Sequence, residues 1–224
     1  MIKTRIINDD FTHNSFKTYD RCKRKYYYEY VKKLHWPGID SDYELGLSVH
    51  KLLDYQAKGF NVDIFLKSCR IDIKELWSYL YNSEIIKYPV IESEWAFNTK
   101  INSSNYWVQG RIDRLVKIDK KKYAIIDFKT GQQLPSTKTE DWQSIVYLFC
   151  TVSAKNFKPE EIEFWYYRVE KEPEIRIIKY DSDLHKLFES KISNKINEIL
   201  STNTWNISEN CNKKYCPYTV LCSK

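Results

Sequence analysis

Apolar positions in the first part of the chain recur at the spacing of a helix. Residues 14–34 combine charged and aromatic side chains and predict a helix with Asn14 or Ser15 as its N-cap. Leucines at helical spacing predict a second helix over residues 44–60, and a third is predicted over much of 62–82. The chain is therefore predicted to begin with a helical region.

The apolar period changes from helical to alternating near residue 90. Segments rich in β-branched and aromatic residues, separated by short polar turns, predict sequential antiparallel strands at 90–99, 106–118 and 123–130. After them the pattern predicts a helix at 138–154, strands at 161–170 and 174–180, and a helix at 182–201. This order predicts an α/β domain with a central mixed sheet flanked by helices.

The composition is typical of one folded domain. The chain has 224 residues, of which 42% are hydrophobic and 16% aromatic, enough for a substantial core. We interpret residues 1–224 as a single domain with a helical region at 1–85, a sheet-containing core at 86–180 and a C-terminal region at 181–224. No secretory signal and no apolar run of the ~18 residues that span a membrane are visible in the sequence. A cytoplasmic protein without a membrane partner is predicted.

The charge balance favours a polyanionic partner. The 36 Lys and Arg residues exceed the 30 Asp and Glu residues, which gives a formal net charge of +6. Such an excess suits nucleic acid but does not require it. Residues 23–33, KRKYYYEYVKK, interleave cations with tyrosines, so Lys23, Arg24 and Lys25 are candidate DNA contacts. The alternative is a helix whose tyrosines pack against the sheet.

The last strand of the predicted meander ends in residues of opposite charge. Asp127 and Lys129 are two positions apart and project from one face, whereas Phe128 projects from the other. A surface ion pair would explain this arrangement by itself. The preceding strand carries Asp113, however, and a hairpin turn would bring it close to Asp127. Adjacent carboxylates repel unless a cation lies between them, so a Mg²⁺ or Mn²⁺ site is predicted.

The segments GRIDR and IIDFKTG, which contain these residues, resemble the core motif of the PD-(D/E)XK nuclease superfamily in its RecB-like form. Further segments resemble other motifs of the same family. GLSVH is similar to a helical motif with a metal-binding histidine, here His50, and EWAF is similar to an acidic strand motif, here Glu94. DWQSIVYLF resembles a helical motif in which Gln143 and Tyr147 lie one turn apart.

The resemblance implies a restriction-endonuclease-like core and a role for each of these residues. The expected ligands of Mg²⁺ or Mn²⁺ are His50, Asp113, Asp127 and the carbonyl group of Phe128. Lys129 is expected to orient the attacking water and to stabilise charge on the phosphate. The glutamine and tyrosine of the helical motif are expected to contact DNA or to orient the lysine.

Three of these residues also have simpler explanations. His50 lies among leucines and would fit a hydrogen-bonded histidine of the core. Glu94 would fit a solvent-facing strand residue, and Tyr147 would fit an aromatic side chain that packs in the core. The complete set of motifs favours the functional interpretation over these alternatives.

Six cysteines in a chain without a visible secretory signal favour metal ligands or reduced thiols over disulfides. Cys69 and Cys150 have apolar neighbours and are interpreted as buried free thiols. The others resemble the iron-sulfur staple of some RecB-like nucleases, which holds a [4Fe-4S] cluster: Cys22, Cys211, Cys216 and Cys222. The first two late cysteines are separated by four residues rather than the usual two, so a structural Zn²⁺ site or no metal is the alternative.

The resemblance implies a Mg²⁺- or Mn²⁺-dependent DNA exonuclease that acts on single-stranded ends and leaves 5′-phosphate and 3′-hydroxyl groups. In size and cysteine plan the chain is similar to small CRISPR-associated nucleases of spacer acquisition and to phage or mobile-element relatives. Protein partners in a DNA-processing complex fit this setting. The alternatives are a structure-specific endonuclease and a DNA-binding or assembly subunit with a vestigial site. The complete set of one His, two Asp and one Lys argues against a vestigial site.

Overall fold

The computed structural model describes residues 10–34, 41–101, 106–131, 133–135, 141–209, 211 and 216–222. Its strands are β1 (Asp10–Phe11), β2 (Val90–Lys100), β3 (Trp107–Asp119), β4 (Lys122–Lys129), β5 (Ile162–Arg168) and β6 (Ile175–Lys179). Its α-helices are α1 (His13–Arg21), α2 (Lys23–Tyr26), α3 (Ser41–Ala57), α4 (Val62–Leu66), α5 (Ile71–Tyr81), α6 (Trp142–Lys155), α7 (Ser182–Ser201) and α8 (Thr219–Cys222).

The strands form one mixed sheet, as the sequence predicts. Strands β2, β3 and β4 pair antiparallel in sequence order, which confirms the predicted meander. Strand β5 then pairs parallel to β4, and β6 pairs antiparallel to β5. The sheet also includes β1, which runs parallel to β3 and was not predicted, because two residues carry no readable alternation.

Each face of the sheet has its own apolar core. Alternation along β4 sends Ile125 to one core and Ile126 to the other. The first core includes residues of α1, α6 and α7, and the second includes residues of α3 and α5. Within the described residues, no helix combines the length and the apolar character that spanning a bilayer requires. The sheet is thus flanked by helices on both faces, which confirms the predicted α/β class.

The helix predicted at 14–34 is interrupted. Helix α1 begins after Thr12, whose side chain accepts a hydrogen bond from the backbone of Ser15, so the predicted N-cap was wrong. Cys22 has extended backbone angles and separates α1 from α2, which continues as a π-helical turn over Tyr27–Val31. Tyr26 stacks on Trp205 of the C-terminal region, with ring centroids 5.8 Å apart.

Other helix boundaries also differ from the prediction. Helix α3 covers Ser41–Ala57, whereas the predicted range was 44–60. The helix predicted at 62–82 is divided into α4 and α5, because Ser68 and Cys69 donate side-chain hydrogen bonds to the carbonyl of Phe65. Helix α6 begins at Trp142, and the predicted residues 138–140 lie outside the described part of the chain. Helix α7 has the bounds that the pattern predicts.

The site is positioned by a divergence of two strands. Pairing between β3 and β4 reaches Arg114 and Ile126 and then stops. Beyond it the backbone N–H of Phe128 donates to the carboxylate of Asp113, at 2.9 Å, instead of to a β3 carbonyl. Strand β4 remains paired to β5 as far as Lys129. The side chains at the end of β4 therefore border an opening in the sheet next to β3.

Candidate active site

An acidic group lies at the opening between β3 and β4. Nδ1 of His50 lies 3.3 Å from Asp113 Oδ1 and 3.6 Å from Glu94 Oε1. Its Nε2 lies 3.1 Å from the carbonyl oxygen of Phe128. His50, Glu94 and Asp113 offer potential ligand atoms within 4.8 Å of one another, and no other such group occurs in the described part of the chain. Helix α3 thus brings an imidazole to two carboxylates from neighbouring strands.

Glu94 adopts a strained backbone conformation. Its φ is 48°, in the left-handed region, although it lies inside the long strand β2. This conformation costs a residue other than glycine roughly 1–2 kcal/mol. Strain of this kind concentrates at functional sites, where the surrounding structure holds it in place. Here it accompanies the placement of the carboxylate beside His50, which supports a functional interpretation of Glu94.

The charges of the acidic group attract a cation. Burial alone would lower the pKa of His50, but Asp113 and Glu94 outweigh that effect and raise the pKa to about 10. The carboxylates thus hold a proton on the imidazole. A divalent cation would balance the same charges, and carboxylate oxygens with one imidazole nitrogen suit Mg²⁺ or Mn²⁺. The residues present therefore fit the predicted metal.

A second group, the lysine half of the site, lies at the end of β4. Lys129 Nζ lies 2.6 Å from Asp127 Oδ2 and donates to Oε1 of Gln143 at 3.1 Å. The amide nitrogen of Gln143 donates to Asp127 Oδ1 at 2.5 Å. Gln143 therefore bridges the acid and the lysine. Of its two predicted roles, these hydrogen bonds match orientation of the lysine.

Lys129 carries its charge in this environment. Burial alone would lower the pKa of Lys129, but the adjacent Asp127 outweighs it and raises the pKa. Burial and Asp113 in turn raise the pKa of Asp127, whereas Lys129 opposes that rise. An ammonium group with a raised pKa donates hydrogen bonds and does not accept a proton. The lysine is thus suited to stabilise negative charge and not to act as a base.

Two residues that the sequence did not indicate support the lysine half. The ammonium group of Lys129 lies over the ring of Tyr166, 5.7 Å from its centroid. The hydroxyl of Tyr166 donates to the carboxylate of Asp141, which is the N-cap of α6. Helix α6 carries Gln143, so this contact fixes the glutamine and the lysine relative to each other. Tyr166 lies outside every motif, and Asp141 begins the segment DWQSIVYLF but is not one of the two residues that the motif singled out.

Tyr147 lies beneath the site and is 4% exposed. Its ring contacts His13 and Phe97, with centroids 5.2 and 5.6 Å apart. Gly110 of β3 allows this packing, because a Cβ atom there would lie 2.5 Å from the ring of Phe97 and 3.1 Å from Tyr147. The sequence left open whether Tyr147 packs or contacts DNA. Its burial matches packing.

Arg114 is a further residue that the sequence did not single out. It is fully buried, and its guanidinium donates to the carbonyl of Leu53 at 2.6 Å and to the side chain of Gln56 at 3.0 Å. Both acceptors belong to α3, one and two turns after His50. The guanidinium therefore ties the helix of His50 to the strand of Asp113.

The chain matches the family model of the PD-(D/E)XK nuclease superfamily over residues 10–223. It belongs to that superfamily. Its fold is similar to a crystal structure from Eubacterium rectale described as a candidate exonuclease, with a TM-score of 0.57 and 15% identity over 94% of this chain and 89% of that one. A second structure, of SSO0001, has a TM-score of 0.49 and 18% identity over 96% and 86% of the two chains. No curated protein matches the sequence.

The family membership gives the acidic group and the lysine half a shared context. PD-(D/E)XK nucleases use divalent metals, and the His50, Glu94 and Asp113 group is compatible with one. The predicted ligand Asp127 lies instead with Lys129 and Gln143, and Glu94 takes a place in the close group. The ligand role of Asp127 stays a prediction.

The four cysteines of the proposed staple converge in this nuclease chain. Burial raises the pKa of the Cys222 thiol, and the neighbouring thiols of Cys216, Cys22 and Cys211 raise it further. In the part of the chain that the structure describes, no three of the four sulfur atoms lie within 4.8 Å of one another. The N-terminal helical segment and α8 are joined here, since the hydroxyl of Tyr28 donates to the carbonyl of Leu221. Of the other two cysteines, Cys150 is buried, as predicted, whereas Cys69 is half-buried, so the prediction for Cys69 was wrong.

The basic residues predicted to contact DNA make contacts within the nuclease domain. Lys23 pairs with Glu198, and Lys25 pairs with Glu29. Nε of Arg24 donates to the carbonyl of Trp205 at 2.6 Å. The contacts of Lys23 and Arg24 hold the N-terminal helices against the C-terminal region, whereas the pair of Lys25 and Glu29 lies within the N-terminal segment. A role in DNA binding stays a prediction for all three.

Proposed function

We propose that this nuclease is a Mg²⁺- or Mn²⁺-dependent deoxyribonuclease that degrades single-stranded DNA from its ends. The observation that carries the proposal is the proximity of two groups of opposite character at the end of β4, on either side of Phe128. His50, Glu94 and Asp113 form a group that attracts a cation, and Lys129 beside them is held as an ammonium by Asp127. Cleavage of a phosphodiester can use both a bound metal ion and an ammonium group, because negative charge builds up on the phosphate during the reaction.

The acidic group is the proposed metal site. His50, Glu94 and Asp113 would hold the cation, and Asp127 and the carbonyl of Phe128 are the additional ligands that the resemblance suggests. Bound Mg²⁺ or Mn²⁺ would activate a water molecule and neutralise charge on the phosphate. The backbone N–H of Phe128 fixes the carboxylate of Asp113, so this ligand is oriented before the metal binds.

Lys129 is the proposed catalytic cation. As an ammonium it orients the attacking water and stabilises the charge that develops on a phosphate oxygen. Gln143 and Asp127 hold it in place through the contacts of 3.1 and 2.6 Å. Water attacks phosphorus, the bond to the 3′ oxygen breaks, and the products carry a 5′-phosphate and a 3′-hydroxyl. The pathway suggested by the resemblance is DNA processing in CRISPR spacer acquisition or in a phage or mobile element.

Dependence on DNA ends separates this proposal from an endonuclease. In the RecB-like group the helical histidine, here His50, accompanies exonuclease activity, which supports degradation from ends. The test compares linear with covalently closed circular single-stranded DNA of one sequence, in the presence of Mn²⁺. We expect the linear form to be degraded and the circle to persist. Equal rates on the two substrates would establish an endonuclease, and cleavage of neither would favour a DNA-binding or assembly subunit.

The four converging cysteines support a second, structural proposal. Cys22, Cys211, Cys216 and Cys222 would ligate a [4Fe-4S] cluster, which would tie the N-terminal helices to the C-terminus. A cluster gives broad visible absorbance, whereas a Zn²⁺ site is colourless. We expect anaerobically purified protein to be brown and to contain iron and sulfide, and Cys216→Ala to lose both. A colourless protein with one equivalent of zinc would contradict the cluster and establish the zinc alternative.

A further inference from the structure

Over the ranges that the structure describes, neither helical layer buries the outer part of one face of the β2–β3 ribbon, at residues 96–100 and 107–111. Val108 and Ile112 of β3 are fully buried in the first core, and Gly110 faces Phe97 and Tyr147 of the same core. The intervening side chains of β3 therefore project from the opposite face. The same alternation applies to β2, where Phe97 enters that core. The six side chains on the uncovered face, which we term the ribbon track, are Ala96, Asn98, Lys100, Trp107, Gln109 and Arg111.

The ribbon track is accessible to solvent. Five of its six side chains are exposed, and Gln109 is half-buried. Trp107 is 40% exposed, and the side chain of Arg111 is 67% exposed. They lie in directly opposed pairs, with Trp107 opposite Lys100 and Arg111 opposite Ala96. The track therefore combines an aromatic surface, two cations and two amides on a flat support.

The ribbon track is continuous with the candidate active site. Glu94 lies two residues from Ala96 along β2, and Asp113 lies two residues from Arg111 along β3. The six steps of strand from Trp107 to Asp113 span about 20 Å. One cation of the track also reaches the acidic group, since Arg111 Nη1 lies 3.8 Å from Glu94 Oε2. A polymer lying along the track would thus have one end at His50.

We propose that the ribbon track binds a single DNA strand and delivers its end to the acidic group, an inference that rests on the proposed function. Lys100 and Arg111 complement the charge of phosphates, and Trp107 offers a face on which an unpaired base stacks. Asn98 and Gln109 can hydrogen-bond the edges of bases that are not paired. In a duplex the base faces are stacked on one another, so the tryptophan would have no base to engage. The occupant is therefore a single strand.

The first test removes the stacking surface. Binding of a fluorescent twelve-nucleotide DNA strand is measured by anisotropy in EDTA, so that no cleavage occurs. Trp107→Thr introduces a β-branched residue, which suits a strand, and should weaken binding about tenfold because the stacking surface is lost. Tyr81→Ala is the matched control, because Tyr81 is an exposed aromatic residue of α5 outside the track. Its affinity should equal that of the wild type, and thermal unfolding checks that all three proteins are folded.

The second test removes the cations and measures the salt dependence. For single strands the slope of log affinity against log salt is about −0.7 for each phosphate contact. The double variant Lys100→Gln with Arg111→Gln should therefore reduce the steepness of the slope by about 1.4. The control variant, Lys171→Gln with Lys186→Gln, lowers the net charge equally at two exposed positions outside the track. Its slope should equal that of the wild type, and Trp107→Thr should weaken binding without changing the slope.

Any one of the following results would overturn the proposal for the ribbon track. These are wild-type affinity in Trp107→Thr, a wild-type salt slope in the double variant, and tighter binding of a duplex than of the single strand. A wild-type chain that binds neither would overturn it too. None of these measurements involves cleavage, whereas the proposed function is tested by cleavage of linear and circular DNA. Failure of the ribbon-track proposal can therefore be distinguished from failure of the proposed nuclease function.

Discussion

Two of the histidines that the structure describes border the candidate active site, and their surroundings give them different charges. Beside Asp113 and Glu94, the pKa of His50 is raised to about 10 although burial opposes this. Burial and the nearby ammonium of Lys129 instead lower the pKa of His13 to about 4. At neutral pH one imidazole is thus protonated and the other is neutral. The pKa of a histidine side chain thus depends on its burial and on the charges of the groups around it.

The difference shows that the site is divided into two electrostatic halves. The acidic half has no permanent cation among its own three residues and takes up a proton at His50, and the guanidinium of Arg111 approaches only its edge, 3.8 Å from Glu94. The lysine half carries its own cation, which Asp127 and Gln143 hold in place. We infer that the acidic half serves to bind metal and the lysine half serves to stabilise the reacting phosphate. The two halves should therefore fail in different ways when they are mutated.

The largest expected effect separates the two halves by one substitution in each. Lys129→Met should lower cleavage by about 10²–10³-fold while leaving Mn²⁺ binding intact, because it removes the cation of the lysine half alone. Asp113→Asn should lose both cleavage and Mn²⁺ binding. Calorimetric titration with Mn²⁺ and a cleavage assay give the two readings. Lys122→Met, at the other end of β4, is the control. Loss of Mn²⁺ binding in Lys129→Met would contradict the division.

A second prediction concerns the membership of the acidic half. Glu94→Gln should weaken Mn²⁺ binding by about 10–100-fold, since loss of even an indirect partner of a metal ligand has an effect of that size. The control is Glu92→Gln on the same strand, whose carboxylate pairs with Lys155 instead. Calorimetry on both variants decides the question. If Glu94→Gln and Glu92→Gln bound Mn²⁺ with equal affinity, Glu94 would not belong to the metal-binding group.

A third prediction tests the packing beneath both halves. Gly110→Ala should lower the free energy of unfolding by about 1–3 kcal/mol, because its Cβ atom would lie 2.5 Å from the ring of Phe97. Gly46→Ala is the control, since its Cβ atom would meet only the hydroxyl of Thr130, at 3.1 Å. Urea denaturation measures both. An equal loss in the two variants would show that the close approach at Gly110 has no special effect.

The smallest expected effect concerns His13 and the pH dependence of stability. Its folded pKa of about 4 lies below the ordinary value of 6.5, so the unfolded chain binds a proton that the folded chain does not. Stability should therefore fall as the pH drops from 6.5 towards 4. Between pH 7 and 5.5 the wild type should lose about 1 kcal/mol more than His13→Phe. Urea denaturation at both pH values checks this, and parallel losses in the two proteins would contradict the neutral state of His13.

The sequence was sufficient where the pattern was local and regular. Alternation over eight or more residues predicted the β2–β4 meander, and the bounds of α7 followed from its helical period. The placement of Asp127 and Lys129 on one face required only the pleat of a strand. In the structure the two side chains are paired, at 2.6 Å.

The rest depended on contacts between distant parts of the chain. The left-handed backbone of Glu94 leaves no trace in the sequence pattern, and its proximity to His50 depends on the packing of α3 on the sheet. His13 and Tyr166 approach the site only when β1 and β5 join the sheet, and neither lies in a motif. The break at Cys22 was missed because helical composition continues through it. Local propensity does not report such tertiary effects.

The most direct measurement of the central claim is cleavage of end-labelled single-stranded DNA by the wild type and by Asp127→Ala, with Mn²⁺ or with EDTA. Asp127 holds the lysine and is predicted to share the metal, so both halves depend on it. We expect the wild type to degrade DNA with Mn²⁺, and no degradation with EDTA or by the folded variant. Wild-type cleavage by Asp127→Ala, or cleavage in EDTA, would contradict the account.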